Sequence, residues 1–561
     1  MTAGEKLAAW LIGAGVAVTR VLALSKTPWD SDEGLFMSAL RHYDVVVHHP
    51  HPPGFPLFIA LAKPFTFFGE FHALQLLSLV ASVAIVPATI FLGRAVGISV
   101  RVSLIAACFL AFFPNVWFFG GTAFSDVPSM TLSMVAIALL LRGELTLAAI
   151  VTGVAAGIRP QTLLIVAVPA LIAFSKNGWR RALTFVAIAG VIVIAGYGAA
   201  AHVSGGWAQY RQSLVDHEQY IATHDSFRAP LRPPMWNLFD DFFLRPYYAP
   251  LINVLISLLG AISVVRRRRP IVLLILTFAP FCLAAWALLD RFSTSRFSIG
   301  YAPMIAFIAA DGLEILARRA APIGAAVIVA IMIVWTWPAL VIVHRTSSPP
   351  FSAADWVKHR NVTAYVADEM GPIFDALLAD TPHVNLPAGL PPLTASMRAG
   401  DVYVREGASS APGAIVFQRE RGHLASIARS TRYFEVSIVP IRDAIQFDDG
   451  FYAPEGGGAW RWMPRHGRII LPPHLARMRV SLVVYVPLDA LHAPANLTVA
   501  FNGTVIDRIH ATESNIERSY DVVARTNASN EVVIETDKTV RPPADTRDLG
   551  VRINGVEWAA R

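Results

Sequence analysis

Long apolar runs dominate the first part of the chain, to about residue 345, and short charged or proline- and glycine-bearing stretches separate them. A helix needs about 20 apolar residues to cross a hydrocarbon core about 30 Å thick, so the pattern predicts about eleven transmembrane helices. They cover residues 7–24, 70–96, 101–118, 127–141, 145–158, 161–175, 182–201, 248–265, 270–289, 297–316 and 320–343. We therefore expect a polytopic α-helical membrane domain over residues 1–344.

The remainder of the chain has the residue pattern of water-soluble domains. Strand-like and helix-like stretches alternate over residues 345–445, which predicts a small α/β domain; one of its predicted helices is 421–429. Residues 446–561 contain short strands separated by turns, and Asn502-Gly503 is typical of a hairpin. This pattern predicts a β-sandwich similar to a carbohydrate-binding module. Aromatic residues between 447 and 463 would suit sugar stacking, although core packing is the favoured interpretation.

Composition and charge support a membrane protein with its C-terminal region outside the cytoplasm. The chain has 561 residues, 54% of them hydrophobic and 16% charged, and its mean hydropathy of +0.50 is too high for a soluble protein. The net charge of +7 comes with arginines in every second loop, the longest run being Arg266 to Arg269. This is the positive-inside pattern of a multi-pass inner (plasma) membrane protein, and it argues against nucleic acid as a partner. With the N-terminus inside, the region after residue 345 lies outside.

Acidic residues cluster in the first outer loop. Asp30, Asp32 and Glu33 lie within four residues of each other. The helical spacing of the apolar residues that follow predicts a helix over 32–44, lying along the membrane surface. Capping of this helix by Ser31, with acidic residues in its first turn, is the structural alternative. Three acids exceed what one cap needs, so the loop is a candidate source of a catalytic base.

Histidines follow in the same loop. His48, His49 and His51 alternate with prolines that exclude a regular helix. They are candidates for metal ligands, for donors to a phosphate, or for polar residues at the interface. Zinc normally takes a fuller set of ligands, so metal binding is the minority interpretation. Cys108 and Cys282, the two cysteines of the chain, lie in apolar runs and provide neither a disulfide framework nor a cysteine-rich metal site.

Charged side chains also mark the outer ends of distant predicted spans. Asp126 precedes Val127-Pro128, Arg159 precedes Pro160, and Arg291 and Arg296 bracket a short polar turn. Charged groups near the hydrocarbon are costly and usually have a partner or a function. Snorkelling suits Arg291 better than Arg159, which apolar residues and a proline flank. The residues alone therefore predict a lipid-facing anion site beside a candidate base.

Five sequence elements occur in one order on one predicted side of the membrane. They are Asp32-Glu33, His51-Pro52-Pro53-Gly54-Phe55-Pro56, Ser125-Asp126-Val127-Pro128, Gly157-Ile158-Arg159-Pro160-Gln161, and Ser295-Arg296-Phe297 leading to Tyr301-Ala302-Pro303. In these elements the chain resembles the GT-C superfamily of polyprenyl-phosphate-sugar-dependent glycosyltransferases, in particular the protein O-mannosyltransferases and the bacterial lipid A aminoarabinose transferases. The resemblance covers residues 1 to about 343.

The resemblance implies an inverting transfer of a monosaccharide from a polyprenyl-phosphate donor to an acceptor hydroxyl at the outer face. It implies Asp32 as general base, with Asp30 as the rival because some relatives carry their acid in a similar Trp-Asp-Ser setting. Glu33 and Asp126 would position hydroxyls. The implied binding residues for sugar, acceptor and phosphate are His48, His49, His51, Asp126, Arg159, Arg296 and Tyr301. No cofactor is certain; a divalent metal occurs in some relatives and stays open.

Two other classes of function fit parts of the sequence. A transporter or flippase of lipid-linked saccharides would explain the spans and arginines but not the acidic loop, and the two-fold repeats common in transporters are not evident. A non-catalytic envelope glycan-assembly protein would use the β-domain as its working part. The sugar and the acceptor, whether glycan, lipid or protein, are not set by the sequence.

Overall fold

The computed structural model describes residues 1–224, 234–245, 249–288, 295–367, 369–386, 400–409, 413–430, 432–441, 445–453, 455, 460–473, 475–542 and 545–560. The chain forms two compact units. The helical unit comprises Met1–Ser348 and Arg419–Thr431, and the β-rich unit comprises Pro349–Gln418 and Arg432–Arg561.

Helices occupy most of the first unit and are few in the second. In chain order they are α1 (Ala3–Val21), α2 (Ser31–Arg41), α3 (Pro56–Ala62), α4 (Glu70–Val96), α5 (Val100–Phe112), α6 (Pro114–Phe119), α7 (Asp126–Leu141), α8 (Leu145–Ile158), α9 (Thr162–Asn177), α10 (Trp179–Val203), α11 (Trp207–His224), α12 (Met235–Phe239), α13 (Pro250–Arg266), α14 (Arg269–Leu288), α15 (Ala302–Ala317), α16 (Ala321–Arg345), α17 (Pro349–Lys358), α18 (Gly371–Leu377), α19 (Leu424–Ala428) and α20 (Leu488–Leu491). Short tighter or wider helical turns occupy Lys63–Phe68, Asp240–Leu244, Ser295–Tyr301 and Arg318–Ala320.

The predicted spans are helical, and two of them, α4 and α8, have the predicted bounds. The predicted span 101–118 is broken, because Pro114 lacks an N–H and Phe113 takes a non-helical conformation, so α5 ends and α6 begins there. Within the described residues, four helical runs are long and apolar enough to cross a membrane, and six apolar helices are shorter. The count of about eleven crossings stays a prediction.

The predicted surface helix of the first outer loop is packed inside the unit. The sequence predicted a helix over 32–44 lying along the membrane surface, but α2 ends at Arg41. Phe36, Met37, Ala39 and Leu40 are all buried by protein. Its apolar face therefore packs against protein, and its position along the membrane surface stays a prediction.

Strands form three sheets in the β-rich unit. They are β1 (Ala364–Val366), β2 (His383–Asn385), β3 (Val402–Glu406), β4 (Ile415–Gln418), β5 (Glu435–Pro440), β6 (Gln446–Phe447), β7 (Arg461–Met463), β8 (His466–Leu471), β9 (Arg477–Tyr485), β10 (Ala495–Phe501), β11 (Thr504–Ala511), β12 (Asn515–Val523), β13 (Asn530–Thr536) and β14 (Val551–Ala560). The first sheet has the order β2-β1-β3-β5-β4. The other two, β11-β10-β13-β8-β6 and β12-β9-β14-β7, enclose one apolar core.

Two local features of this unit bear on the sequence interpretation. Asn502 and Gly503 both have positive φ in the tight turn between β10 and β11, where the sequence predicted a hairpin. Phe447, Phe451 and Trp460 pack against the core of the two antiparallel sheets.

One segment that the sequence assigned to the α/β domain belongs to the helical unit. The sequence placed a helix at 421–429 within the α/β domain, but the segment Arg419–Thr431, which contains α19, belongs to the helical unit. The strands before and after it, β4 and β5, pair with each other in the β-rich unit. The segment is therefore the connection between two adjacent strands, and its side chains serve the other unit.

Candidate functional site

Asp30 caps the helix that carries the acidic cluster. Its backbone is extended, its carboxylate accepts a hydrogen bond from the Asp32 N–H at 3.0 Å, and the Glu33 carboxylate accepts one from the Asp30 N–H at 3.2 Å. This reciprocal arrangement is a capping box. The sequence offered Ser31 as the cap, but Ser31 is the first helical residue. Asp30, predicted as the rival base, thus has a structural task.

Glu33 lies in the interior and joins two loops. Its side chain is fully buried, and its carboxylate accepts hydrogen bonds from the N–H of Trp29 at 2.8 Å and of Ala123 at 3.0 Å. Burial raises the pKa of Glu33 to about 7, although these N–H donors oppose the rise. The carboxyl group therefore fixes the first outer loop to the loop that leads into α7.

Asp32 is the acidic residue that meets distant charges. Its carboxylate forms an ion pair with the guanidinium of Arg296, and the His51 Nδ1 lies 3.7 Å from its Oδ1. Burial alone would raise the pKa of Asp32, but Arg296 and then His51 and Arg159 lower it, and the net pKa lies well below the ordinary value. Asp32 is ionised at neutral pH and is flanked by two arginines.

Arg296 reaches this cluster from a turn far along the chain. It lies in the tight turn Ser295–Tyr301 that precedes α15, and its guanidinium sits over the Phe124 ring at 4.6 Å. A guanidinium stacked on an aromatic face keeps its N–H donors directed sideways toward anions.

Arg159 forms the second positive group. Pro160 disfavours the helical conformation at Arg159, so α8 ends there with Arg159 extended. Its Nη1 lies 2.7 Å from the Asp126 carboxylate and donates to the Ser125 Oγ at 3.1 Å. The guanidinium also lies 5.5 Å from the centre of the Phe55 ring. The predicted meeting of the loop acids with arginines from distant spans is therefore present in the structure.

The histidines divide into different environments. His51 packs against Phe55 at 4.9 Å between ring centres, and burial lowers its pKa to about 4. Its ring also lies 5.9 Å from that of His217, which in turn is 6.3 Å from His48. His49 forms a two-way backbone bridge with Asp44 instead. The structure thus brings the rings of His48 and His51 together with that of His217, while the His49 backbone pairs with that of Asp44.

His217 is a residue that the sequence analysis missed. It lies on α11, between the predicted spans 182–201 and 248–265. Burial lowers its pKa, with His48 contributing in the same direction. The polar helix between two apolar runs was a signal that this loop has structure. Nothing local to it, however, indicated which of its polar residues faces Asp32.

Tyr301 does not join the site. Its side chain is fully buried, its hydroxyl donates to the Phe242 carbonyl oxygen, and its ring packs against Phe243 and Phe281. Tyr301 therefore ends the turn that carries Arg296 and packs inward, and its contact with substrate stays a prediction.

The described residues do not offer a metal site. No group of three or more histidine, cysteine, aspartate or glutamate side chains in this part of the chain is placed to hold an ion. The Asp32 carboxylate is paired with the Arg296 guanidinium.

The helical unit followed by the β-rich unit is a fold that this chain shares with a solved structure. The chain is similar to ArnT from Cupriavidus metallidurans bound to undecaprenyl phosphate, with a TM-score of 0.51, 13% identity, and coverage of 78% of this chain and 98% of that one.

Two further solved structures match at lower scores. They are the oligosaccharyltransferase AglB from Archaeoglobus fulgidus in complex with an inhibitory peptide and a dolichol-phosphate (TM-score 0.44, 10% identity, 98% of each chain), and the arabinosyltransferase EmbB from Mycobacterium smegmatis (TM-score 0.40, 12% identity, 100% of this chain and 64% of that one). The shared fold rests on the match above 0.5. No family model and no curated protein sequence matches the chain.

Proposed function

We propose that this chain is an inverting membrane glycosyltransferase that moves a monosaccharide from a polyprenyl-phosphate donor to an acceptor hydroxyl. The observation that carries the proposal is the ion pair between Asp32 and Arg296, flanked by Arg159 and His51, in a chain with the GT-C fold. Such a site holds an ionised carboxylate and two guanidinium groups in one partly buried place, as base catalysis with a phosphate leaving group requires.

The donor phosphate takes the guanidinium groups. A phosphate offers oxygens that match the planar fork of arginine, so it competes with the carboxylates for Arg296 and Arg159. The ArnT structure of the same fold is bound to undecaprenyl phosphate, which supports a polyprenyl phosphate as the lipid here. Binding of the donor would therefore release Asp32 from its ion pair. The freed carboxylate could then meet the acceptor hydroxyl.

Asp32 then acts as the general base. It accepts the proton of the acceptor hydroxyl as the acceptor oxygen forms a bond to the anomeric carbon. The bond from that carbon to the phosphate oxygen breaks on the opposite face, and the phosphate leaves with the electron pair, its charge stabilised by Arg296 and Arg159. Asp32 is preferred over Asp30 and Glu33, because the carboxylates of those two residues accept backbone hydrogen bonds of the helix cap.

His51 lies beside Asp32, His217 and His48 continue the cluster, and burial lowers the pKa of all three imidazoles and favours their neutral form. Neutral imidazole donates and accepts hydrogen bonds, so these rings suit the hydroxyls of a sugar or acceptor.

With the basic loops, such as the one at Arg266 to Arg269, on the cytoplasmic side, the site and the β-rich unit lie on the extracytoplasmic face of the inner membrane.

Transfer from synthetic donors tests the proposal. The full chain in lipid nanodiscs receives undecaprenyl phosphate carrying mannose, glucose, galacturonic acid or aminoarabinose, together with an extract of membrane glycans, lipids and proteins. Release of undecaprenyl phosphate and a glycosylated product, both followed by mass spectrometry, is expected for at least one donor. Asp32→Asn should lower the rate about 10²- to 10⁴-fold.

The matched control is Asp216→Asn, an exposed carboxylate that accepts from Gln212. It should leave the rate unchanged. Donor movement across the bilayer without chemical transfer would favour a flippase. Transfer that survives both Asp32→Asn and Asp30→Asn would overturn the assignment of the base.

A further inference from the structure

The turn that carries Arg296 is held at both of its ends by buried hydrogen bonds. At its start, the Ser295 hydroxyl donates to the Ile427 carbonyl oxygen, and at its end, the Tyr301 hydroxyl donates to the Phe242 carbonyl oxygen. All four residues are buried. Hydrogen bonds between buried groups are costly to break, so both ends of the turn are fixed.

Arg429 joins these two attachment points. Its Nη1 donates to the carbonyl oxygens of Asp241 at 3.2 Å and Arg245 at 2.9 Å, and its Nη2 forms an ion pair with the Asp241 carboxylate. Asp241 is adjacent to Phe242, and Arg429 is two residues after Ile427. The contacts therefore close a ring: from Arg429 to the 240–245 turn, through Tyr301 to Ser295, and back through Ile427.

The inside of the ring is braced by one more polar side chain. The Asn115 amide donates to the Ser295 carbonyl oxygen at 3.0 Å and to the Ser298 hydroxyl at 2.7 Å. Arg296 directly follows Ser295, so its backbone position is set by this network. The turn therefore also sets the direction from which the Arg296 side chain reaches Asp32.

We propose that Arg429, from the segment Arg419–Thr431, is a positioning residue for the reaction and acts through Arg296. The inference rests on the proposed function, because it takes Arg296 as the group that binds the lipid phosphate. A displacement of a catalytic group by about 1 Å costs about 10²-fold in rate. Loosening the ring should therefore lower turnover while leaving the rest of the site in place.

A double-mutant cycle tests this inference. The probe is undecaprenyl phosphate, the leaving group of the proposed reaction, and its Kd is measured for the wild type, Arg429→Gln, Arg296→Ala and the double variant in nanodiscs. Arg429→Gln should weaken binding about tenfold in the wild type and have little further effect in the Arg296→Ala background. Where transfer is measured, kcat should fall more than KM rises.

Two further variants separate positioning from loss of structure. Arg432→Gln is the matched control, since Arg432 lies three residues on and forms an exposed ion pair with Glu369; it should leave binding unchanged. Tyr301→Phe removes the hydroxyl that donates to Phe242 but keeps the packing of the aromatic side chain. It should weaken binding of undecaprenyl phosphate only when Arg296 is present, and it tests the proposal even if Arg429→Gln fails to fold.

The outcomes distinguish the two proposals. Equal weakening by Arg429→Gln in both backgrounds, or no weakening in either, overturns the positioning role. Wild-type chain that neither binds undecaprenyl phosphate nor transfers any sugar overturns the proposed function itself.

Discussion

Arg296 pairs with Asp32 across 264 residues of sequence. The ion pair joins the start of α2 to the turn before α15 and places a guanidinium over the Phe124 ring. Neither side chain is fully buried, so an incoming anion can compete for the guanidinium. A lipid phosphate would therefore replace the Asp32 carboxylate as the partner of Arg296.

The kcat/KM of transfer should be flat between about pH 5 and pH 8. This profile reports ionisation of the free enzyme, in which the pKa of Asp32 is well below its ordinary value because Arg296 and His51 outweigh burial. A base loses activity as pH falls through its pKa, so the acid limb should lie below pH 4 or so. An inflection near pH 4, the pKa of His51, that disappears in His51→Asn would instead assign the base to the imidazole.

Asp30→Asn should retain most of the transfer activity, whereas Asp30→Ala should destabilise the protein. Asparagine caps helices about as well as aspartate, and replacing such a cap by alanine costs about 0.5–2 kcal/mol. Thermal unfolding of both variants in the same detergent checks the stability. Loss of transfer in a stable Asp30→Asn protein would show that Asp30, not Asp32, takes the proton.

Glu33→Gln should lower the free energy of unfolding by about 1–3 kcal/mol, because an amide has one oxygen where Glu33 uses both carboxylate oxygens to accept backbone N–H groups. The same variant should also remove the part of the pH dependence of the free energy of unfolding that comes from Glu33. The folded-state pKa of about 7 is above the ordinary 4.5, so the folded state holds the proton more tightly. The stability that this tighter proton binding at Glu33 contributes is complete below pH 4.5, and it is lost as pH rises toward about 7.

Denaturant titration of wild type and Glu33→Gln at pH 5 and pH 7.5 measures this difference. The wild type should lose more stability than the variant on going to the higher pH. An equal loss in both proteins would mean that other groups dominate the pH dependence.

Arg159→Lys should weaken the use of donor. The guanidinium spans the Asp126 carboxylate and the Ser125 hydroxyl while it lies near Phe55, a geometry that a lysine ammonium cannot reproduce. We expect KM for the polyprenyl-phosphate donor to rise about tenfold. Arg142→Lys, at the C-terminal end of α7, is the matched control and should leave KM unchanged.

Local rules carried much of the helical architecture. The apolar run 70–96 became α4 with the same bounds, because glycines at positions 69 and 97 stop the helix at both ends. Pro160 favoured the extended backbone of Arg159, because proline disfavours the helical conformation of the residue before it. Local patterning also indicated which loop holds the acids and that arginines end distant spans.

The roles of the acids were beyond local rules. The sequence places Asp30, Asp32 and Glu33 within four residues. Asp30 caps the helix through local contacts, but only packing decides that Glu33 turns inward to the Ala123 N–H and that Asp32 meets Arg296. The reason is geometric, since consecutive residues of a helix point in directions about 100° apart and their partners come from other parts of the chain.

By itself, then, the sequence determined the apolar helices, the charge asymmetry of the loops and the presence of a β-rich C-terminal region, because hydrophobic periodicity and charge placement act over short stretches. Tertiary structure alone decided that His217 approaches His51, that Tyr301 packs inward and that the segment Arg419–Thr431 joins the helical unit. Each of these depends on contacts between residues far apart in the chain, and no local pattern fixes which of many compatible partners a buried polar group will find.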